Sequence, residues 1–214
     1  MRYQLVIFDF DGTLADSFPY FLKTINTLAL TYHFPPIQPG QIEQARGMEA
    51  RQLMRAARLP AWKIPLMARD FIRLMATDIH QIQLFEGVAP LLEELHHRGV
   101  QLAIVSSNSE ANIREVLGSK TAGLIGYYGC GTSLFGKQHK FKRAMAHWGL
   151  GPHQVLCVGD EVRDSQAAAK ANMAFGAVTW GYARADVLAA QPGIFLFKRL
   201  DDICQLVLGR GATQ

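Results

Sequence analysis

Four short stretches of this sequence carry groups able to do chemistry. Asp9-Phe10-Asp11-Gly12-Thr13 sets two carboxylates two residues apart, directly behind an apolar run. Ser106-Ser107-Asn108 follows a second apolar run and offers hydroxyls and an amide. Lys137 and Lys140 belong to a short basic stretch that ends at Arg143, and Gly159-Asp160-Glu161 follows a third run, with Asp164 four residues beyond Asp160. Carboxylates, a hydroxyl and a lysine are the groups that phosphoryl transfer needs. Phosphate is an anion, so a carboxylate that attacks it requires the charge to be neutralised. Magnesium does this with oxygen ligands, and a lysine adds a point charge. One carboxylate can then attack while another handles the leaving-group proton.

Each stretch has a plainer explanation when taken alone. Asp-Gly is a common turn, a serine after a strand is ordinary, most lysines solvate a surface, and Asp160 could cap a helix. A calcium loop of the EF-hand type fits poorly, because Gly12 comes too early and Tyr20 stands where a glutamate is needed. The plain explanations do not account for all four occurring together, in order, each next to an apolar run or a helix start.

The elements that must position these groups are legible. Residues 4–8 (Gln-Leu-Val-Ile-Phe) are apolar with almost no alternation, as in a strand buried on both faces. Gln101–Val105, Val155–Val158 and Ala174–Thr179 read the same way, and Ile194–Phe197 is a candidate fifth strand. Helical spacing marks Ala89–Arg98, closed by Gly99, and Glu110–Leu117, Phe141–Trp148 and Ser165–Ala171. Strands alternating with helices predict an α/β fold: a doubly wound, mostly parallel, Rossmann-like sheet with right-handed crossovers. In such a sheet ligands bind beyond the carboxyl ends of the strands, which is where the carboxylates and Ser106 fall. Residues 16–83 break the alternation. Phe18–Tyr32, Gln41–Arg58 and Ile64–Ile82 read as helices, punctuated by Pro35-Pro36, Pro39-Gly40 and Pro60. The expected organisation is therefore a core of residues 1–15 and 84–214 with an inserted α-helical cap of residues 16–83, hinged at Ala15–Ser17 and Gln83–Gly87.

Composition narrows the function classes. The 214 residues are 49% hydrophobic and 19% charged, with a net charge of +4, which is globular and only mildly basic. That balance suits a small anionic substrate and argues against nucleic acid. No run of apolar residues is long enough for a membrane span, and no signal peptide is evident. Cys130, Cys157 and Cys204 are odd in number and far apart, with no metal or redox spacing, so a reducing cytoplasm is the simplest setting. Oligomeric state stays open between monomer and homodimer.

These stretches resemble the motifs of the haloacid dehalogenase (HAD) superfamily. Asp9-Phe10-Asp11-Gly12-Thr13-Leu14-Ala15-Asp16-Ser17 is similar to its first motif, and Ile104-Val105-Ser106-Ser107-Asn108 to its second. Lys137, after Phe135-Gly136, resembles the third, and Val158-Gly159-Asp160-Glu161-Val162-Arg163-Asp164 the fourth. The pattern as a whole looks most like the phosphoglycolate phosphatase-like branch, with a helical cap. The resemblance implies a HAD core, a magnesium ion and a small phosphorylated metabolite as substrate. It implies that Asp9 attacks phosphorus to form an aspartyl-phosphate, and that Asp11 protonates the leaving oxygen and later deprotonates water. It places Mg2+ on the Asp9 side chain, the Asp11 carbonyl and Asp160, with Asp164 or Glu161 completing the shell. Ser106 would hold phosphoryl oxygens, Lys137 would balance charge, and Phe10, Ser107 and Asn108 would add to the phosphate cradle. Lys137 departs from the Lys-Pro context of many relatives, since Gln138-His139-Lys140 follows, so Lys140 is a rival. Dehalogenases of this fold lack the second aspartate, so Asp11 argues for phosphoryl transfer. A phosphosugar mutase shares all four motifs, and a non-catalytic binding protein of the same fold is the reading from another class.

Specificity is expected from the cap. Arg46 and Arg51 lie where relatives place a substrate loop, and either could clamp a second anionic group in a bidentate pair. Between residues 41 and 73, six arginines and Lys63 face only Glu43, Glu49 and Asp70. For any single arginine, a solvated helix face is the plainer reading. His96-His97 suits a helix end rather than a metal.

Overall fold

The computed structural model describes residues 1–48, 52, 55–131 and 136–209. At its centre is a six-stranded parallel sheet, β1 (Leu5–Phe8), β2 (Gln101–Ile104), β3 (Tyr127–Tyr128), β4 (Val155–Gly159), β5 (Ala174–Val178) and β6 (Phe195–Phe197). The strands lie side by side in the order β3-β2-β1-β4-β5-β6. This is a doubly wound order, and its reversal at β1 opens a crevice at the carboxyl edge.

The lack of alternation in β1 has its cause here. Val6 and Phe8 face a layer that includes Leu92, Leu95, Ile113 and Ile203. Leu5 and Ile7 face another that includes Phe141, Ala144 and Ala168. Helices cover both faces, so every side chain of β1 is buried. Val88–His97, Glu110–Ala122 and Leu200–Leu208 supply the first layer, Lys137–Trp148 and Val162–Lys170 the second.

Register carries the sequence motifs to one edge. Phe8 pairs with Ile104 on one side and with Val158 on the other. The next residue of the chain after β1 is Asp9, while Ser106 and Asp160 each lie two beyond their strand's pairing partner of Phe8. Three segments far apart in sequence thus end level with one another.

Between β1 and the helix Val88–His97 the described residues contain helices Phe18–Tyr32, Ile42–Arg46 and Ile64–Thr77, short 3-10 turns, and no strand. The chain leaves and re-enters the core through a paired neck. Asp16 N donates to Gln83 O at 2.8 Å and Phe85 N to Leu14 O at 2.9 Å, around an Ala15–Leu84 bridge. These bonds lie within or beside Ala15–Ser17 and Gln83–Gly87.

Some elements differ from the sequence reading. β3 has only two residues, between Gly126 and Gly129, too short to leave a hydrophobic run. Of the helix expected over Gln41–Arg58, Ile42–Arg46 is helical and stops at Gly47, and the described residues 52, 55 and 56 are helical again. The one expected over Ile64–Ile82 ends at Thr77, with a 3-10 turn Ile79–Gln81 beyond it. The sixth strand, Phe195–Phe197, coincides with the candidate last strand and pairs with β5.

Candidate active site

Asp9 follows the last residue of β1 and is buried. Its Oδ1 accepts the Phe10 N–H at 2.8 Å and its Oδ2 accepts Lys137 Nζ at 2.5 Å. Burial pushes this carboxyl up, but the ammonium of Lys137, with Arg163 and the Phe10 N–H, outweighs burial and holds it below the usual range. A lowered carboxyl favours the ionised form, which is the form able to attack as a nucleophile.

Lys137 is the first residue of its helix. A cation is unfavourable at the positive end of a helix, so packing elsewhere has to hold it there. Its Nζ bridges Asp9 Oδ2 and Asp164 Oδ1, each at 2.5 Å. The two carboxylates outweigh the effect of burial and push the ammonium up, so it stays charged. Lys140, its rival, donates instead to the backbone carbonyls of Ser106 at 3.1 Å and Gly131 at 2.6 Å. The geometry therefore assigns charge balance at Asp9 to Lys137 and the bracing of the Ser106 loop to Lys140.

Asp11 leaves the strand axis, because the chain turns at once. Leu14 N and Ala15 N both return to Phe10 O, at 2.9 and 3.0 Å. Gly12 enables the turn with φ 74°. A Cβ on Gly12 would also overlap Asp160 and the Tyr182 ring. Asp11 Oδ2 accepts Asn108 Nδ2 at 3.0 Å, while its Oδ1 is buried with no hydrogen-bond partner among the described residues. Burial, reinforced by the nearby Asp9 charge, raises the Asp11 carboxyl to about 6. That value suits a group that gives and takes a proton near neutrality.

Asp160 is fully buried beyond β4. Thr13 Oγ1 donates to its Oδ1 at 2.8 Å and Tyr182 N to its Oδ2 at 2.7 Å. Asp160 is not the helix cap that its position allowed; Glu161 holds that place, with Glu161 N donating to Asp164 Oδ2 at 3.3 Å. Among the described residues no ion pair reaches Asp160, and burial followed by Glu161 and Asp9 raises it well above the usual range. Asp164 is raised to about 6, by burial first.

Asp9, Asp160 and Asp164 present carboxylate oxygens within 4.8 Å of one another. An all-oxygen donor set of this density fits a hard divalent cation. The raised Asp160, which has two neutral donors and no cation, is the orphan such an ion would relieve. Glu161 is engaged differently: it pairs with Arg163 at 2.5 Å. Between the two acids left open by the sequence, Asp164 is the one in the cluster.

Ser106 is buried, and its Oγ accepts the Asn108 N–H at 3.1 Å, leaving the hydroxyl proton to be donated elsewhere. Ser107 lies half-buried between them. The N–H groups of Phe10 and Asn108 are aimed at Asp9 and Ser106, and the Asn108 side chain is aimed at Asp11.

Of the two cap arginines, only Arg46 lies among the described residues. Arg46 does not reach into the crevice as an anion clamp. Its Nη2 donates to Gly181 O at 2.8 Å, its Nε to Tyr182 O at 3.2 Å and its Nη1 to Glu43 at 2.9 Å. It also lies over the Phe18 ring, and Arg184 N donates back to Arg46 O at 3.1 Å. Arg51 lies outside the described residues. Arg55, Arg58, Arg69 and Arg73 line the rest of that segment, the last two around Asp70, and Arg69 and Arg73 are exposed, so their charge faces solvent.

Sequence reasoning missed three contributors: Thr13, Tyr182 and Trp180. Trp180 Nε1 donates to Thr13 O at 3.2 Å, Tyr182 OH lies 3.0 Å from Ser17 Oγ, and the Tyr182 ring packs edge-on against Phe18 and Phe21. The signal was present. Thr179-Trp180-Gly181-Tyr182 directly follows β5, and asking what that strand ends in finds it.

The chain matches the haloacid dehalogenase-like hydrolase family over residues 6–178. A phosphoglycolate phosphatase of Synechococcus elongatus is 34% identical over 205 residues, covering 95% of this chain and 97% of that protein. One from Xanthomonas campestris pv. campestris is 32% identical over 216 residues, covering 90% and 95%. A solved structure from Lactobacillus plantarum superposes with a TM-score of 0.82 at 26% identity, covering 96% of this chain and all of that one.

Proposed function

The chain belongs to the haloacid dehalogenase-like hydrolase family and is a phosphatase, and we propose that Asp9 is its nucleophile and phosphoglycolate its substrate. The observation that carries this reading is the meeting of Asp9, Asp11, Ser106, Lys137 and Asp160 at one sheet edge. Ionised Asp9 attacks phosphorus. A bond from its oxygen to phosphorus forms as the bond to the ester oxygen breaks, and Asp11 delivers its proton to that oxygen. The product of this step is an aspartyl-phosphate and a free alcohol. Asp11, now ionised, removes a proton from the water that attacks the intermediate, which releases inorganic phosphate and restores Asp9. Ser106 donates its hydroxyl to a phosphoryl oxygen, and Lys137 neutralises Asp9 and the charge that gathers on phosphorus.

Asp9, Asp160 and Asp164 would hold magnesium together with the Asp11 carbonyl, and the ion would supply charge neutralisation at the phosphoryl oxygens. We further assign residues 16–83 as a cap that closes over the crevice and excludes water. The paired neck at Ala15 and Leu84 supports this, since it gathers the exit and return of the segment at one place. Phosphoglycolate is favoured because both curated relatives described above are phosphoglycolate phosphatases matched over nearly their whole length. Three free thiols fit the cytoplasm.

The test is phosphate release from phosphoglycolate with magnesium present. Wild type should turn it over in preference to sugar phosphates and nucleotides, and Asp9→Asn should abolish turnover. An inactive wild type, or an active Asp9→Asn variant, would sink the reading. Transfer of phosphate to a second sugar hydroxyl rather than to water would make it a mutase.

A further inference from the structure

Asn112 has no part in the mechanism above, yet it is buried behind it. It lies one turn into the helix Glu110–Ala122, which Ser109 caps by accepting the Asn112 N–H. The Asn112 side chain points back: its Nδ2 donates to Asn108 Oδ1 at 3.1 Å. Asn108 in turn donates from Nδ2 to Asp11 Oδ2 at 3.0 Å. We propose that Asn112 is a positioning residue for Asp11, acting by locking the amide of Asn108 in one orientation. The proposal rests on Asp11 being the proton donor of the phosphatase reaction.

The lock follows from which atoms donate. An asparagine amide has a donor end and an acceptor end that differ little in shape, so its contacts decide its direction. At Asn108 four contacts agree. Ser109 N at 2.8 Å and Asn112 Nδ2 both donate to Oδ1. Asp11 Oδ2 and, at 3.2 Å, the weak acceptor Met75 Sδ both lie at Nδ2. Reversing the amide would turn a carbonyl oxygen onto the Asp11 carboxyl and an N–H onto two donors. Asn108 Nδ2 donates to Oδ2 while the Ser17 side chain also acts on this carboxyl, so Oδ2 is the handle that Asn108 supplies. Met75 belongs to the helix Ile64–Thr77, so the inserted segment also touches this lock.

A proton donor matters most where the leaving oxygen is a poor leaving group. Phosphoglycolate loses an alkoxide that must be protonated, whereas 4-nitrophenyl phosphate loses a nitrophenolate that leaves without help. kcat/KM covers the steps through attack by Asp9, so it isolates protonation from the later hydrolysis of the intermediate. Two variants of matched size are needed. Asn112→Leu removes the donor, and Asn112→Asp keeps the shape but presents acceptors to Asn108 Oδ1.

Both variants are expected to lose about tenfold or more in kcat/KM on phosphoglycolate. On 4-nitrophenyl phosphate they should stay within about twofold, and that activity certifies the fold of each variant. An equal loss on the two esters would reduce Asn112 to a structural residue and overturn the proposal, as would no loss on either. If one variant does not fold, the other decides. Wild type inactive on both esters would instead overturn the phosphatase reading, and the positioning role with it.

Discussion

Lys137 Nζ and Asp9 Oδ2 lie 2.5 Å apart in a setting where both side chains are nearly removed from solvent. The same ammonium meets Asp164, so one cation serves Asp9 and another member of the acidic cluster together. Removing it leaves two buried carboxylates facing each other. Lys137→Met should lower kcat/KM by roughly 10²-fold or more, the scale of a lost electrostatic contact to a developing charge. Without metal it should also destabilise the fold by about 3–5 kcal/mol, the usual effect of breaking a buried pair. Lys140→Met should disturb the Ser106 loop and leave a larger residual activity. Steady-state kinetics on both variants checks this, and a more damaging Lys140→Met would reverse the assignment.

Metal binding should stabilise the protein in a pH-dependent way. Burial raises Asp11 and Asp164 to about 6 and raises Asp160 well above the usual carboxylate range. Carboxyls raised in the folded state favour folding fully below their unfolded value, and that contribution is lost as pH rises through the folded value. Asp9, held low, stays ionised across this window and contributes no slope. The metal-free protein should therefore lose stability between about pH 4 and pH 7 from these groups. Magnesium needs the ionised carboxylates and competes with their protons. Its gain in Tm should be small at about pH 5 and larger at about pH 7.5. Melting curves with magnesium and with a chelator measure it, and a gain that shrinks with rising pH would contradict the cluster as the metal site.

Arg46 ties the helix Ile42–Arg46 to the loop after β5 through Gly181 O and Tyr182 O. Arg46→Ala should loosen that tie and change kcat and KM together, by a few-fold to about tenfold, as is common when a closing contact is lost. The change should be alike for phosphoglycolate and 4-nitrophenyl phosphate. A loss confined to phosphoglycolate would restore the anion clamp. Arg69→Ala and Arg73→Ala, exposed around Asp70, should have no effect on either ester.

Gly12→Ala should be damaging out of proportion to its size. The left-handed backbone at φ 74° alone costs an L-residue on the order of 1–2 kcal/mol. The new methyl would also displace Asp160 and Tyr182, the ligand cluster and its support. A lowered Tm together with weakened magnesium affinity is expected. Wild-type magnesium affinity in a folded Gly12→Ala variant would show that the turn can relax without moving Asp160.

How far the sequence reached depends on the kind of information each feature needs. β1, β2, β4 and β5 were legible because a parallel strand covered on both faces writes an unbroken apolar run. Strands that all run in one direction bring their carboxyl ends to one edge, which is enough to group Asp9, Ser106 and Asp160. β3 left no such run, having two residues between glycines.

Residue type and strand order were thus enough to bring Asp9, Asp11 and the acidic cluster to one edge. Side-chain direction was not contained in them. Lys137 and Lys140 are three residues apart on one helix. What separates them is that one faces Asp9 and Asp164 and the other the carbonyls of Ser106 and Gly131. Arg46 stands out by its charge, but apart from Glu43 its hydrogen-bond partners are backbone carbonyls some 135 positions away, a group every residue carries and no sequence pattern marks. Asn108 and Asn112 look like ordinary loop and helix asparagines, and only their packing decides which end of the Asn108 amide faces Asp11 and which end of the Asn112 amide faces Asn108. The pattern of residue types specified which chemistry the edge can support. The folded chain alone decided which atom of each side chain meets which, because hydrogen bonds depend on direction and on backbone groups that are the same at every position.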